Sequence, residues 1–331
     1  MTSQIKVVTF GLGPVGCAIA CEVGRRKGCR IVGAIDNDPE KVGRDLGEVA
    51  GFGSKLGLSV RADSEAALRE ADADLVVLAT TSSLEKIRPQ LLEILATGAN
   101  VVTTCEELSY PWSAQPDLSA ELDEAARRAG SSILSTGVNP GFMMDYLPSM
   151  VSGLCRDVET IRVERYMDAG IRREVFQQKV GAGLSVEGFA KAAESGVVGH
   201  VGLRESIHMI AHSVGWTLSN LEIELEPVIA REAIDATSTH IEKGAVAGVD
   251  QIARGFVEGR ERIVLKFVAA VGEEAPRDRV LIEGTPRIDL KIDGGVHGDL
   301  ATCNVVVNSI PKVVRAAPGL RTMLDVSAAA A

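Results

Sequence analysis

Three hundred and thirty-one residues are enough for about two domains. Apolar residues make up 46% of the chain and charged residues 24%, which is typical of a globular protein and excludes the disordered and fibrous classes. The 35 basic and 45 acidic residues give a net charge of −10. Because no basic half or tail is available to neutralise phosphates, a nucleic acid partner is not expected.

The N-terminus, the apolar runs and the cysteines indicate a cellular location. The N-terminus continues directly into an apolar, strand-like segment, which leaves no room for a signal peptide. No stretch approaches about 20 consecutive apolar residues, so no membrane span is expected. The six cysteines form no C-x-x-C pair. Together these features predict a cytoplasmic protein with reduced thiols.

The first 140 residues alternate short apolar runs with helical segments. The runs are rich in Val, Ile and Leu and lack strict alternation, as expected of strands buried on both faces of a parallel sheet. This pattern predicts a doubly wound α/β (Rossmann) domain over residues 1–140. Strands are predicted at 5–10, 30–35, 74–79, 100–104 and 132–135, and helices at 15–27, 64–70, 84–97 and 118–129.

After residue 157 apolar and polar residues alternate, as they do in half-buried strands. We expect a second, α+β domain with an open mixed sheet over residues 141–298, which binds substrate and mediates oligomerisation. A C-terminal helical segment, 299–331, is expected to pack back on the first domain. In the second domain, strands are predicted at 160–168, 221–225, 255–258, 262–271 and 287–292, with a hairpin turn at Gly259 and Arg260, and helices at 185–195 and 203–214.

A glycine-rich turn links the first predicted strand to the first predicted helix. It consists of Gly11-Leu12-Gly13-Pro14-Val15-Gly16, and Asp36 closes the next strand twenty residues after Gly16. In this context G-x-G-x-x-G predicts dinucleotide binding, because its glycines allow a tight turn, close approach to a pyrophosphate and close packing of helix on strand. Asp36 is expected to accept hydrogen bonds from a ribose diol and to repel a 2′-phosphate, which favours NAD. Asn37 and the nearby Arg44 leave NADP open.

Polar residues follow two further strands at their carboxyl ends, where open α/β sheets bind ligands. Thr80, Thr81 and Ser82 are candidates to hold the ribose and nicotinamide of the cofactor, to cap the next helix, or to do both. Glu106 and Glu107 follow the strand at 100–104, and since neighbouring side chains point apart, one of them should enter the cleft. A partly desolvated carboxylate beside a nicotinamide can exchange protons near neutral pH. Alternatively, both acids are solvated at the start of a helix.

Three further features concern the substrate and metals. Asn139, just before a Pro-Gly hinge into the second domain, offers a donor and an acceptor at the mouth of the cleft. Arg165 shares a strand face with apolar residues, which predicts either a buried ion pair or the lining of a polar pocket.

His208 and His212 lie one helical turn apart, but the glutamate of H-E-x-x-H and a third ligand are missing, so no metal site is expected.

Six segments of the chain are distinctive. They are GLGPVG at 11–16, IVGAIDNDPEKVGRDLGEVAG at 31–51, LATTSS at 78–83, NVVTTCEELSYPW at 100–112, STGVNPGFMMD at 135–145 and GDLATCNVVVNSIPKVV at 298–314. Together they resemble the 2,4-diaminopentanoate dehydrogenase and native amine dehydrogenase family, whose N-terminal domain is dihydrodipicolinate reductase-like. The likeness spans nearly the whole chain, and TCEELSYP and GVNPGF are its most specific parts.

This resemblance implies NAD(P)-dependent interconversion of an amine with a ketone or aldehyde plus ammonia. It implies that Glu106 is the catalytic glutamate and that Asn139 and Arg165 lie near the substrate. Apolar residues of the substrate pocket differ among family members, so the choice of substrate does not carry over. The positions implied here are Val138, Met143, Met144 and Met167 for that pocket and Asn304 for the cofactor.

Two other functions stay open. A dihydrodipicolinate reductase would carry a His-His-x-x-Lys type of segment followed by Ser-Gly-Thr, whereas this chain has Glu164-Arg165-Tyr166-Met167 in the comparable region and no Ser-Gly-Thr. A redox sensor would bind NAD without turnover. A carboxylate stabilises a developing iminium cation, whereas alcohol dehydrogenases stabilise an alkoxide, so Glu106 favours C–N chemistry. The expected partners are a small amine or carbonyl compound, ammonia and, because the second sheet is open, a second copy of the chain in a homodimer.

Overall fold

The computed structural model describes residues 4–235 and 240–326; the end of the predicted C-terminal segment, 327–331, lies outside the described residues. The strands are β1 Ile5–Phe10, β2 Cys29–Ile35, β3 Val60–Arg61, β4 Leu75–Leu78, β5 Asn100–Thr103, β6 Ser132–Ser135, β7 Asp157–Asp168, β8 Asn220–Ile229, β9 Ile234–Asp235, β10 His240–Ile241, β11 Val246–Val257, β12 Arg260–Ala270, β13 Arg277–Thr285, β14 Ile288–Asp293 and β15 Gly319–Arg321. The α-helices are α1 Pro14–Arg25, α2 Leu46–Ala50, α3 Ser64–Ala71, α4 Leu84–Leu95, α5 Pro116–Ala129, α6 Tyr146–Ser152, α7 Glu174–Lys179, α8 Val186–Glu194, α9 Leu203–Ser213 and α10 Gly298–Val313. Short 3₁₀ helices span Glu106–Leu108, Pro111–Ser113 and Ala169–Ile171.

The described residues divide into two compact units. The first is formed by the chain up to Phe142 together with the residues from His297 onward, and the second by Met143–Val296. The first unit contains a parallel sheet with the strand order β15-β6-β5-β4-β1-β2-β3. This order confirms the predicted doubly wound sheet, because neighbouring parallel strands can be joined only by crossovers such as these helices.

Apolar side chains of the parallel strands are buried on both faces of that sheet, as their unbroken apolar runs predict. On one face, Val8 and Phe10 of β1 pack in a cluster with α3, α4 and α5. Helices α1 and α10 contact each other on the other face. The C-terminal segment thus belongs to the first unit, and it also contributes β15, which pairs with β6 and which the sequence does not predict.

The second unit contains a six-stranded sheet with the order β14-β13-β7-β12-β11-β8. The pair β7 and β12 is parallel and its other pairs are antiparallel, so the predicted mixed sheet is confirmed. The predicted turn of the β11–β12 hairpin is wrong by one residue. The turn is formed by Glu258 and Gly259, whose φ angles of 51° and 74° are those that a two-residue hairpin needs for its twist to match the strands.

Candidate active site

The glycines of the turn between β1 and α1 have two different roles. Gly11 has a φ of 90°, and a Cβ on Gly16 would lie 1.8 Å from the carbonyl oxygen of Gly11, so both residues shape the turn itself. A Cβ on Gly13 would meet nothing within 4 Å among the described residues. Gly13 therefore leaves open space beside the positive end of α1, where a phosphate group is stabilised by the helix N-terminus.

The carboxylate of Asp36 lies just beyond β2 and is held by two backbone amides. Its Oδ2 accepts a hydrogen bond from the Leu12 N–H at 2.6 Å, and its Oδ1 accepts one from the Asp38 N–H at 2.8 Å. Asp36 is 8% exposed. These bonds fix the carboxylate next to the glycine-rich turn, which is the position from which an acidic residue accepts hydrogen bonds from a ribose.

A cavity of about 680 Å³ opens beside this turn. The predicted cofactor residues among its lining are Gly11, Gly13, Asp36, Asn37, Thr80 and Thr81. Several residues in the lining were not identified from the sequence, including Lys41, Ser64, Lys86 and Gln90. The lining does not include Leu12, Pro14, Val15, Gly16, Ser82 or Asn304; of these, Asn304 is exposed on α10.

The hydroxyl residues after β4 contact both their own loop and the cavity. Thr80 Oγ1 donates to Gln90 Oε1 at 2.6 Å, and Thr81 Oγ1 accepts from the Ser83 N–H at 3.2 Å. The carbonyl oxygen of Ser82 accepts the Glu107 N–H at 3.3 Å, which connects this loop to the one after β5. Thr80 and Thr81 line the cavity, which is compatible with the predicted cofactor role, whereas the start of α4 is bonded by Glu107 and not by these hydroxyls.

The two adjacent glutamates after β5 are both half-buried and begin a 3₁₀ helix. Glu107 Oε2 accepts the backbone N–H of Leu84, the first residue of α4, at 2.7 Å. The Nε2 of Gln115 donates to the same oxygen at 3.3 Å. Glu107 therefore stabilises the start of a helix, and proton transfer by Glu106 stays a prediction.

The segment after β6 carries Val138 and Asn139. The Val138 N–H donates to Thr302 Oγ1 of α10 at 3.2 Å, so this segment is fixed to the C-terminal helix. Gly141 has a φ of 122°, and a Cβ there would lie 2.5 Å from the Gly137 nitrogen, which explains the glycine. Val138 is buried and Asn139 half-buried in the first unit.

In the second unit, Arg165 lies in the sheet face that α9 covers. Arg165 is 1% exposed, and its guanidinium donates to Asp278 Oδ1 at 2.9 Å and to the Val296 carbonyl oxygen at 2.6 Å. Asp278 Oδ2 accepts the Val296 N–H at 2.7 Å. Burial lowers the pKa of Arg165 and raises the pKa of Asp278. The negative charge of Asp278 counteracts the shift at Arg165, and the positive charge of Arg165 counteracts the shift at Asp278. Of the two predicted roles, the structure thus shows the buried ion pair.

His200 packs beside this ion pair and was not identified from the sequence. Its ring stacks on Phe267 with 4.5 Å between centroids, and its backbone N–H donates to Gln251 Oε1 at 2.7 Å. Gln251, Phe267, Arg165 and Asp278 are consecutive partners across four strands, so they form one row on one sheet face. Burial, followed by the positive charges of Lys179 and Arg165, lowers the pKa of His200 to about 3. The imidazole is therefore neutral at physiological pH.

The predicted apolar substrate residues of the second unit have distinct environments. Met143 is buried, and Met144 is inaccessible to solvent. Met167 is half-buried, and Arg172 Nη1 lies 3.8 Å from its Sδ.

Over 4–235 and 240–326, no group of three or more His, Cys, Asp or Glu side chains is arranged to hold a metal ion. Within the same residues no helix is long and apolar enough to cross a membrane.

Comparison with known proteins assigns the chain to a family. Residues 142–331 match the model of the 2,4-diaminopentanoate dehydrogenase C-terminal domain, and residues 5–104 match the model of the dihydrodipicolinate reductase N-terminus. The chain belongs to the 2,4-diaminopentanoate dehydrogenase family. The resemblance noted in the sequence is thereby confirmed.

Relatives of this family member resemble it over nearly its whole length. It is 31% identical to the 2,4-diaminopentanoate dehydrogenase of Acetoanaerobium sticklandii, over 97% of this chain and 93% of the relative. It is 27% identical to an amine dehydrogenase of Streptomyces virginiae, over 98% and 96%. The solved structure of the amine dehydrogenase from Mycobacterium smegmatis superposes with a TM-score of 0.88 at 28% identity, covering 99% of this chain and 98% of that one. As a member of the 2,4-diaminopentanoate dehydrogenase family the chain is an oxidoreductase.

Proposed function

We propose that the protein is an NAD-dependent amine dehydrogenase that interconverts a small amine with a ketone or aldehyde plus ammonia. The observation that carries this proposal is the bond of Glu107 to the start of α4, together with the position of Glu106 directly after the carboxyl end of β5. Glu107 stabilises the start of α4, and this supports Glu106 as the group that transfers protons at the carboxyl edge of the dinucleotide-binding sheet. The similarity to an amine dehydrogenase along the whole chain supports the same chemistry.

The residues around the large cavity fit a nicotinamide dinucleotide. Gly13 leaves space at the N-terminus of α1 for a pyrophosphate, and the Asp36 carboxylate is fixed where a ribose diol would bind. Thr80 and Thr81 line the remaining wall. When bound, this cofactor supplies or accepts the hydride of the reaction. Asp36 supports NAD as the preferred form, because its negative charge opposes a 2′-phosphate.

In the amination direction, Glu106 is assigned the proton transfers. Addition of ammonia to a carbonyl gives a carbinolamine, in which a new C–N bond has formed and the oxygen has become a hydroxyl. Protonated Glu106 donates to that hydroxyl, the C–O bond breaks, and water leaves with the electron pair. The resulting iminium cation is stabilised by the carboxylate that remains, which is the electrostatic advantage of an acid at this position.

The second unit is assigned to the substrate. Its row of buried polar side chains is unusual for a sheet face covered by a helix, because buried polar groups cost free energy unless they are paired. Arg165, held by Asp278, and the neutral imidazole of His200 provide polar contacts among apolar side chains such as Met167. The role of Asn139 at the substrate stays a prediction. Cytoplasmic location and a homodimer stay predictions of this proposal, and light scattering tests the dimer.

The proposal is tested by following oxidation of NADH and of NADPH by the purified protein with a panel of small ketones and aldehydes, with and without ammonium. We expect oxidation that requires both a carbonyl compound and ammonium, and that is faster with NADH. Oxidation without ammonium would indicate alcohol dehydrogenase chemistry instead. Binding of NADH with no turnover on the panel, in the wild type and in Glu106→Gln alike, would indicate a redox sensor.

A further inference from the structure

Lys41 lies in the turn after β2 and contacts both acidic residues of that turn. Its Nζ is 2.9 Å from Asp38 Oδ2 and 3.7 Å from Asp36 Oδ2, and 26% of its side chain is exposed. The backbone of the turn is fixed, because the Lys41 N–H donates to the Asp38 carbonyl at 2.9 Å. Lys41, Asp36 and Asp38 all line the large cavity. The positive charge of Lys41 therefore lies at the end of the cavity where Asp36 is expected to bind a ribose.

This cation changes the electrostatics expected from Asp36 alone. A carboxylate at this position repels a 2′-phosphate, which carries a charge of roughly −1.5 to −2 at neutral pH. An ammonium group on a flexible stem has three rotatable donors and can exchange one oxygen partner for another without movement of the backbone. The partly exposed Asp38 carboxylate is the partner that a phosphate group would replace.

The other basic residue of this turn does not have the same placement. Arg44 Nη1 donates to the Glu40 carbonyl oxygen at 3.3 Å, and Arg44 is not part of the cavity lining. The turn thus offers two cations on the same short segment, of which one borders the cavity.

We propose that Lys41 binds the 2′-phosphate of NADP and thereby allows the protein to bind NADPH as well as NADH. This inference rests on the proposed function, since it requires that the cavity bind a nicotinamide dinucleotide. Lys41 is thus a determinant of cofactor specificity. Asp36 binds the ribose diol of NAD, and Lys41 binds the phosphate that is attached in place of one hydroxyl of that diol in NADP.

The test is direct binding, by fluorescence titration with NADH and NADPH and by calorimetry with ADP-ribose and its 2′-phosphate. Lys41→Met should weaken the two phosphorylated ligands about tenfold or more, the loss expected for one charge-assisted hydrogen bond, and leave the other two within about threefold. Asp38→Asn should act in the opposite direction and tighten NADPH binding, because it releases Lys41 from its present partner. Arg44→Met is the matched control, since it removes the same charge from the same turn and should leave all four affinities within about threefold.

The outcomes separate this inference from the proposed function. Equal weakening of NADPH by Lys41→Met and Arg44→Met, or unchanged NADPH affinity in Lys41→Met with an unchanged melting temperature, would overturn the role of Lys41 alone. Wild-type protein that binds NADH but shows no NADPH binding would overturn it as well. Failure of the wild type to bind any of the four ligands would overturn the proposed function together with this inference.

Discussion

Glu107 binds the first residue of helix α4: its Oε2 accepts the backbone N–H of Leu84 at 2.7 Å. The first N–H groups of a helix have no partner within the helix, and a carboxylate next to them also interacts favourably with the helix dipole. The N-cap residue of this helix, Ser83, makes no capping bond with its own side chain. Glu107, which lies 23 residues further along the chain, thus takes the place of a local cap.

Glu106→Gln should keep cofactor binding and reduce turnover by a factor on the order of 10²–10⁴, the range for loss of a positioned acid–base group. Glutamine preserves the volume of the side chain and removes the proton site and the negative charge. Turnover is measured under saturating substrate and NADH, and binding by quenching of protein fluorescence. A variant with wild-type turnover would show that the proton takes another route.

Glu107→Gln is the control for that experiment. Its amide oxygen can still accept the Leu84 N–H, so we expect near wild-type turnover and a loss of roughly 0.3–1 kcal/mol in the free energy of unfolding, from the missing charge at the helix N-terminus. If Glu107→Gln were the inactive variant and Glu106→Gln stayed active, the assignment of the two residues would be reversed.

Substitution of the glycines in the first turn by alanine should separate folding from binding. In Gly16→Ala the new methyl group meets the Gly11 carbonyl at 1.8 Å, so the turn must open and the melting temperature should fall by several degrees. Gly13→Ala places its methyl group in open space, so the apo protein should melt as the wild type does while NADH binding weakens. Equal melting temperatures of the two variants would contradict this division.

The first unit is largely predictable from the sequence, because its strands are buried on both faces and its helices follow each strand closely. The glycine-rich turn and Asp36 could be placed for the same reason: their spacing is set by one strand–helix–strand segment. Asn304 could not be placed in this way, and its role at the cofactor stays a prediction. It was assigned from the resemblance alone, and it lies exposed on α10, outside the lining of the cavity.

Of the polar row in the second unit, only Arg165 was predicted from the sequence, because the row is assembled by strand register. Gln251, Phe267, Arg165 and Asp278 come from four separate strands and become neighbours only when these pair. Strand β13 reads RDRVLIEGT, and its many charged residues hide the alternation of Asp278 with the buried Val280 and Ile282. A single charged residue at an inward position of an apolar alternation is the signal that could have identified it.

Breaking the buried ion pair should be costly. Asp278→Ala leaves the guanidinium of Arg165 buried without its counter-charge, and we expect a loss of roughly 3–5 kcal/mol in the free energy of unfolding, measured with urea. The exposed pair of Arg279 and Asp289 has similar distances of 2.7 Å but is solvated, so Asp289→Ala should cost at most about 1 kcal/mol. Similar losses for the two variants would show that Arg165 finds a substitute partner.

His200 should make stability depend on pH below neutrality. The folded-state pKa of about 3 lies far below the ordinary value of 6.5, so between these two values the unfolded chain binds a proton that the folded protein does not. Stability is therefore undiminished above pH 6.5 and is lost progressively as the pH falls through this window, by about 2 kcal/mol at pH 5 for this residue.

The measurement is the difference in unfolding free energy between the wild type and His200→Gln over a series of pH values, since carboxyl groups shared by both proteins cancel in that difference. The wild type should lose about 2 kcal/mol relative to His200→Gln between pH 7.5 and pH 5. Lys179→Met removes one of the positive charges beside the ring, but burial is the larger cause of the shift, so this variant should keep most of the dependence. Parallel curves for wild type and His200→Gln would mean that the imidazole titrates alike in the folded and unfolded states. The proposed contact between a neutral His200 imidazole and the substrate would then be wrong, because an imidazole that is already protonated near pH 6 carries a positive charge next to Arg165.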